Sequence, residues 1–399
     1  QVFTGATVRV RHSLIRDNSK AGILFRGGSL EVRNSVLEAE GTGRVAYYLN
    51  GNGTWVSDFN NIRATDGAYL AGREFGVADR FLIDWQGSST NDMSSFGYAA
   101  RFADEDGYDF HLLSENGRFD PVEGAFTTND AVSSRLIDLG DAAPTNEPAP
   151  NGGKVNVGLY GDTPEASKSP ETGALVPLTM SDGGTIRGEA TLYWAFINMG
   201  GATPVEVRFS WDGGDSWTNI ATGLYADDGL DGLSWITTNF PSTAMGVWEV
   251  RTTTNDPPIV GRTETYFAIK NDPVAYYVND SSTNGDVYCE AAGSTAHTGL
   301  TPDSPLDSLE TLLGRYKVEH GDTVYVDTGL YPRSAPMVMA IPSIGATNRL
   351  VIQGSTNEAA GGTVFTNSGS GAVLELDGCR FVDLRDLRLH GGQRGLVLT

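Results

Sequence analysis

The chain has 399 residues, of which 50 are Asp or Glu and 28 are Lys or Arg, so its net charge is −22 at neutral pH. This negative field repels nucleic acid and anionic membrane surfaces, and no apolar run approaches the roughly 18 residues of a membrane span, so we expect neither nucleic-acid binding nor membrane insertion. The length exceeds what one hydrophobic core usually supports and predicts two or three folding units.

Residues 1–100 contain an internal repeat. Six apolar or small residues recur, shifted by 22 positions; they are Val8, Val10, Ser13, Ile15, Ile23 and Phe25, matched by Leu30, Val32, Ser35, Leu37, Val45 and Tyr47. Short alternating stretches indicate strands, and a period near 22 residues is typical of one coil of a parallel solenoid. A third, looser unit runs from Trp55 to Leu70. We therefore predict the last coils of a solenoid here.

Residues 101–171 are predicted to close this solenoid and to lead into a linker. They contain the runs EDGYDFHLLSENG, SSRLIDLGD and NGGKVNVGLYGDTPEASKS, followed and interrupted by prolines. Short strands and turns in this segment would cover the last coil, whose open edge otherwise invites aggregation.

Residues 172–272 have a different composition, rich in Trp and Thr. Five stretches alternate like strands: TLYWAFINM, VEVRFSW, LSWITTNF, GVWEVRTTT and TETYFAIK. Their spacing and turn signals predict a β-sandwich of about 100 residues.

Residues 273–399 return to short strands. A helix is predicted at SLETLLGRY, with Asp307 or Ser308 as its N-cap, and it would act as a lid over the first coil. The last strands repeat the opening pattern, so this segment predicts the start of a second solenoid. Cys289 and Cys379 fit neither a zinc site nor a disulfide framework and are predicted to be buried free thiols.

Both ends resemble the pectin-lyase-like right-handed parallel β-helix repeat proteins of large bacterial secreted or surface proteins. The resemblance rests on GYDFHLL, LIDLGD and NGGKVNVGLYGDTPEAS as a closing segment, and on GLTPDSPLDSLETLL with GDTVYVDTGLYP as an opening segment. The middle module is similar to Ig-like or fibronectin-like domains. The resemblance implies an all-β chain whose right-handed parallel β-helix ends flank an Ig-like β-sandwich, and an extracellular or cell-surface location in bacteria.

The run SWDGGDSW resembles an Asp-box, a β-hairpin turn. Its characteristic residues here are Ser210, Asp212, Gly214, Ser216 and Trp217. In such a turn the carboxylate binds backbone amides and the Trp packs beneath, so we predict a structural role rather than contact with sugars.

Catalytic residues are not predicted, and we expect that the chain is not an enzyme. Lyases of the resembled superfamily use a base beside carboxylates that hold calcium, and the nearest run here contains Asp383, Arg385, Asp386 and Arg388. Outward charges alternating with inward leucines explain that run without catalysis.

Calcium is the one cofactor that the sequence suggests. Asp227, Asp228 and Asp231 lie with glycines in ADDGLDG, and a second acidic group lies in ADEDGYD. Calcium favours several hard oxygen ligands, and the first group is the better candidate for it. Solvated acidic loops explain both groups more simply, since neither matches an EF-hand.

The sequence is compatible with three functions. The first is an extracellular structural or adhesive segment of a long surface protein or fibre, whose partners would be copies of itself or adjacent repeats stacked end to end. The second is a polysaccharide lyase or hydrolase, favoured only by analogy of fold. The third is a glycan-binding module that uses exposed tryptophans to reach cell-surface glycans. Because Gln1 is not Met and opens no signal peptide, we also expect a processed product or an internal fragment.

Overall fold

The structure is a computed structural model that describes residues 1–399 except 42, 74–77, 142–146, 152, 200–201, 227–228, 272 and 341–347. The chain is all-β, as predicted: strands dominate, and two α-helices, α1 (Leu82–Ser89) and α2 (Leu309–Arg315), lie in the described part. Two short 3-10 turns, Thr237–Asn239 and Glu358–Ala360, complete the helical elements described.

The first segment consists of parallel strands. They are β1 (Thr7–Arg11), β2 (Leu14–Ile15), β3 (Ala21–Phe25), β4 (Gly28–Arg33), β5 (Val36–Glu40), β6 (Val45–Leu49), β7 (Gly53–Asp58), β8 (Asn61–Thr65) and β9 (Tyr69–Arg73), with β10 (Ala78–Asp79) antiparallel to β9. Each strand from β1 to β6 pairs in parallel with the strand three further along the chain, which gives the sheets β1-β4-β7, β2-β5-β8 and β3-β6-β9. We call residues 7–73 the first stack.

The strand register tests the 22-residue repeat. Val8 pairs with Leu30 and Ile15 with Leu37, as the repeat predicts. In the third strand the prediction was wrong by two residues, because Ile23 pairs with Tyr47 rather than Val45. Two extra residues at the corner before β6 cause this shift, and a shift of two leaves the same face of the strand inward.

Inward side chains of the first stack form a continuous core. Leu30, Val32 and Ile62 are at most 1% exposed. At the end of the stack, α1 buries Leu82 and Trp85 against it, and the Trp85 ring lies 6.1 Å from that of Trp55. Helix α1 was not predicted from the sequence.

Residues 101–171, which were predicted to cover the last coil, lie mainly beside the first stack and not over its end. Besides α1, residues 92–98 run along β7 and β8, where the Ile62 N–H donates to the Phe96 carbonyl at 2.7 Å. The later residues instead pack on the side of the stack, since Leu136 and Val157 share a core with Val36. Their strands are short antiparallel pairs: β11 (Phe102–Asp104) with β12 (Asp109–Leu112), and β13 (Arg118–Asp120) with β14 (Ala125–Thr127).

The middle module has two mainly antiparallel sheets. Its strands are β15 (Ala174–Pro177), β16 (Thr185–Ile186), β17 (Glu189–Ile197), β18 (Thr203–Ser210), β19 (Thr218–Ala226), β20 (Gly229–Ile236), β21 (Thr243–Thr252), β22 (Val260–Arg262) and β23 (Phe267–Ile269). One sheet has the order β15-β17-β20 and the other β16-β23-β21-β18-β19, with β22 beside β21. Strand β19 was not predicted, and it contains Gly223, which is unfavourable within a strand.

The third segment again pairs strands in parallel. Its strands are β24 (Ala275–Val278), β25 (Thr323–Val326), β26 (Gly329–Arg333), β27 (Met337–Ala340), β28 (Leu350–Gly354), β29 (Thr363–Asn367), β30 (Ala372–Asp377), β31 (Val382–Arg385), β32 (Leu387–Gly391) and β33 (Arg394–Leu398). They form the sheets β24-β25-β28-β31, β26-β29-β32 and β27-β30-β33. We call residues 275–398 the second stack.

Helix α2 lies where the sequence predicts it. Ser308 is the N-cap, and its hydroxyl accepts a hydrogen bond from the Thr311 N–H at 3.1 Å. Leu309 and Leu312 are buried in the core of the second stack. Among the described helices none is long and apolar enough to cross a membrane.

Truncation of one inward side chain should show how much the first stack depends on its core. Leu30, at 1% exposure, stacks beside Trp55, so Leu30→Ala should lower the free energy of unfolding by about 2 to 5 kcal/mol. The matched control is Leu330→Ala, where the side chain is 55% exposed and the loss should stay below about 0.5 kcal/mol. Guanidinium denaturation measures both, and equal losses would contradict the assigned core.

Candidate functional site

The Asp-box-like residues come together in the turn between β18 and β19. The Ser210 hydroxyl donates to Asp212 Oδ1 at 2.7 Å and accepts from the Gly214 N–H at 2.7 Å. The Ser216 N–H donates to the same Asp212 oxygen at 2.9 Å. Gly213 and Gly214 have φ angles of 78° and 109°, which side chains rarely adopt. The Asp212 carboxylate therefore bonds to the turn that carries it.

Two arginines cover the ring of Trp217. Its indole N–H donates to the Gly214 carbonyl at 2.9 Å, and the guanidinium carbons of Arg262 and Arg208 lie 4.5 and 5.3 Å from the ring centroid. Both arginines also pair with Glu249, whose side chain is 2% exposed, at 2.8 and 3.2 Å. These cation–π and ionic contacts hold the turn against the sheet, and the two guanidinium groups cover the ring of Trp217.

The remaining tryptophans of the module differ in exposure. Trp194, Trp235 and Trp248 are at most 2% exposed and belong to the core of the module, whereas Trp211 is 38% exposed. An aligned row of surface tryptophans, which a glycan-binding platform requires, is not formed by these residues.

The predicted calcium ligands are only partly described. Asp227 and Asp228 lie outside the described residues, and Asp231 lies on β20 opposite Trp194 of β17. Within the described ranges, no group of three or more His, Cys, Asp or Glu side chains is arranged to hold a metal ion. In the second acidic group, Glu105 pairs with Arg16 at 2.7 Å, and Asp104 accepts from the Gly107 N–H at 3.0 Å.

Residues 383–388, the run most similar to a lyase site, form hydrogen bonds and ion pairs on the surface of the second stack. Asp383 accepts hydrogen bonds from Arg349 and Arg385 at 2.8 and 2.9 Å, and the Arg385 hydrogen bond lowers the pKa of its carboxyl. Asp386 accepts from Gln353 at 2.7 Å. Both carboxylates of this run thus bind neighbouring side chains, and Arg388 lies on β32 in another sheet.

A polar junction, which the sequence did not predict, joins the module to both stacks. Lys317, just after α2, pairs with Asp84 of α1 at 2.8 Å. Arg80, just before α1, donates to the Leu313 carbonyl of α2 at 2.9 Å. Because these partners are 233 residues apart in the chain, no local pattern could have indicated them.

The module contributes to the same junction. Arg187 pairs with Glu319 at 2.8 Å, and Lys270 forms an ion pair with Asp322, both of whose side chains are at most 2% exposed. Charges buried this deeply are costly unless they are paired, so each member of the Lys270–Asp322 pair needs the other.

Asp182 connects the module to the first stack. Its Oδ2 accepts from the Leu82 N–H at 2.7 Å, which places a carboxyl at the N-terminus of α1. Its Oδ1 is buried and has no hydrogen-bond partner among the described residues. Burial raises the pKa of Asp182 to about 7.

Comparisons with known proteins add little. No protein-family profile and no curated protein matches the chain. Among solved structures, an endo-β-1,4-mannanase from Thermotoga petrophila is similar over 25% of this chain and 20% of its own, at 11% identity and a TM-score of 0.19. The chain thus spans a fifth of the length of that enzyme's structure, and a TM-score this low does not indicate a shared fold.

The Asp212 carboxylate should stabilise the module in a pH-dependent way. Hydrogen bonds from Ser210 and Ser216 lower its pKa to about 2, so the folded state favours the ionised form. That stability is present above the unfolded pKa of about 4 and is lost as pH falls from about 4 to about 2. Asp212→Asn should therefore lower the Tm at pH 7, and the deficit should shrink on acidification.

Asp215→Asn, at the exposed neighbouring acid of the same turn, is the control for Asp212→Asn and should leave the Tm unchanged. Calorimetric scans between pH 7 and pH 2.5 would test both variants. A deficit of Asp212→Asn that is the same at every pH would contradict the role of the charge.

Asp182 should give the opposite pH dependence. Because its folded pKa is raised, the folded state holds a proton that the unfolded state releases above pH 4, so its contribution to stability falls as pH rises from about 4 to about 7. Asp182→Asn keeps an acceptor for the Leu82 N–H and has no proton to lose. The variant should be more stable than the wild type at pH 8 and should show a flatter profile.

Urea denaturation from pH 4 to pH 8 measures the effect of Asp182→Asn. Asp303→Asn, at a solvent-exposed position, is the matched control and should follow the wild type. If the free energy of unfolding had the same pH dependence in the wild type and in Asp182→Asn, ionisation of Asp182 would not be its cause.

Proposed function

We propose that the chain is an extracellular structural or adhesive segment of a long bacterial surface protein or fibre. In this proposal the two stacks are right-handed parallel β-helices, and the module between them is an Ig-like sandwich. Apart from β24, which pairs with β25, and β10, which is antiparallel to β9, the strands of both stacks pair in parallel with strands three positions away, and this supports the first assignment. The two mainly antiparallel sheets of the module support the second assignment.

The observation that carries this proposal is the polar junction. Units joined only by linkers move independently unless specific contacts between them restrict the motion. Here the pairs Lys317–Asp84 and Arg187–Glu319, together with the Arg80 hydrogen bond, connect all three segments. A segment that must hold its length and transmit load gains from such connections, whereas a binding module or a single enzyme domain has no need of them.

The proposal also includes the partners of the chain, which would stack on it end to end. The end coils of a parallel stack have strands that are paired on one side only. Strands of these coils present backbone groups that a further strand can pair with. We propose that coils of adjacent repeats of the same chain, or of copies of it, continue the stack there.

The junction should keep the two stacks at a constant angle. Electron microscopy of single particles should show one end-to-end length for the wild type, whereas the double variant Arg80→Ala, Lys317→Ala should show a broad distribution of lengths. Arg349→Ala removes an ion pair within the second stack and serves as the control. A broad distribution for the wild type would refute the structural proposal.

Electron microscopy of the native protein from its source tests the stacking separately. Regular fibres at physiological calcium support it, and their loss after chelation would add a role for calcium. Discrete particles that cleave an acidic polysaccharide would favour the enzyme instead.

A further inference from the structure

The contact between Lys270 and Asp322 brings an amine and a carboxyl group together in a buried site. From this geometry we infer that the two side chains condense to an intramolecular amide, an isopeptide bond, with Glu319 carrying the proton. Lys270 follows β23 of the module and Asp322 precedes β25 of the second stack, 52 residues on. The inference does not depend on the proposed function, since any of the three functions is compatible with it.

Both reacting groups are buried. The side chains of Lys270 and Asp322 are 2% and 1% exposed. In the proposed reaction one proton first passes from the ammonium group of Lys270 to Oδ2 of Asp322, which gives an amine and a carboxylic acid. Those are the two reactants of amide formation.

The backbone holds both reactants in place. The Lys270 N–H donates to the Ile186 carbonyl at 2.9 Å, and its carbonyl accepts from Arg187 Nε at 2.9 Å. Asp322 Oδ1 accepts from the Val274 N–H at 2.9 Å. Groups fixed in this way react as if at roughly 10⁵ to 10⁸ M, which offsets the unfavourable entropy of joining them.

Glu319 lies beside both reacting groups. Its Oε2 is 3.6 Å from Lys270 Nζ, and its backbone N–H donates to Asp322 Oδ2 at 2.8 Å. Arg187 pairs with the same Glu319 oxygen at 2.8 Å and acts as a positioning residue. Glu319 is therefore placed to accept a proton from the nitrogen and to return it to the departing oxygen.

The step balances without a further reactant. The lone pair of Nζ attacks Cγ of Asp322, and the negative charge that develops on Oδ1 is stabilised by the Val274 N–H. Glu319 takes the proton from the new ammonium and gives it to Oδ2, the Cγ–Oδ2 bond breaks, and water leaves. The products are a secondary amide, one water molecule and the Glu319 carboxylate in its original form.

Tyr276 shields one side of the Lys270 amine from water. Its side chain is 0% exposed, and its ring centroid lies 5.6 Å from Lys270 Nζ. Exclusion of water favours condensation and slows the reverse hydrolysis. The bond would join the last strand of the module to the second stack covalently, in addition to the ion pairs of the junction.

Mass spectrometry of the intact full-length chain tests the inference. The folded wild type should be lighter than its sequence by one water molecule. Because a succinimide at an Asp-Gly step also loses water, a tryptic digest must locate the change: peptide 263–315, uncut at Lys270, should be joined to peptide 318–333. Folded protein at its full mass, with these peptides separate, would overturn the inference.

Variants identify the roles of the residues. Lys270→Met removes the nucleophile and should abolish the joined peptide, but it also leaves Asp322 buried without its partner. Glu319→Gln retains the Lys270–Asp322 ion pair, although it removes the anionic partner of Arg187. The variant should fold as the wild type does by circular dichroism, while forming the bond about 10² to 10⁴ times more slowly. Glu290→Gln, at an exposed position, is the control and should form the bond fully. Bond formation in Glu319→Gln at the same rate as in the wild type would overturn the role of Glu319.

Discussion

Parallel backbone pairing between strands three apart is the interaction on which the rest of the structure depends. It places like positions of successive coils side by side, so that Val8 lies beside Leu30 and Leu374 beside Leu396. Each inward row is then shielded by the rows before and after it, and the core grows along the stack. The ends of such a stack must be covered, and this explains why α1 and α2 pack against the core there.

The covering elements also create the junction. Helix α1 lies at the last coil of the first stack and α2 lies at the first coil of the second, so both helices belong to the facing ends of the two stacks. Their polar residues, Asp84 on α1 and Lys317 after α2, meet at 2.8 Å. Elements that cover apolar ends therefore also supply the charges that connect the segments.

The Asp-box-like turn shows how a motif can be recognised without revealing a function. Its carboxylate binds the amides of its own turn, and its Trp217 is covered by Arg208 and Arg262. A motif whose carboxylate already accepts hydrogen bonds from its own turn does not by itself indicate a ligand. The groups with unusual chemistry, Asp182 and the Lys270–Asp322 pair, were not singled out by any motif as functional residues.

The sequence by itself determined the all-β class, many strands of both stacks, the register of Val8 with Leu30 and the Ser308 cap of α2, because each depends on periodicity or on contacts within a few residues. Local patterns did not determine α1, the two-residue shift that pairs Ile23 with Tyr47, or the junction. Corner lengths and contacts across 233 residues are decided only when the coils stack. The charges of Lys270 and Asp322 look ordinary in the sequence, and only tertiary burial makes them a reactive pair.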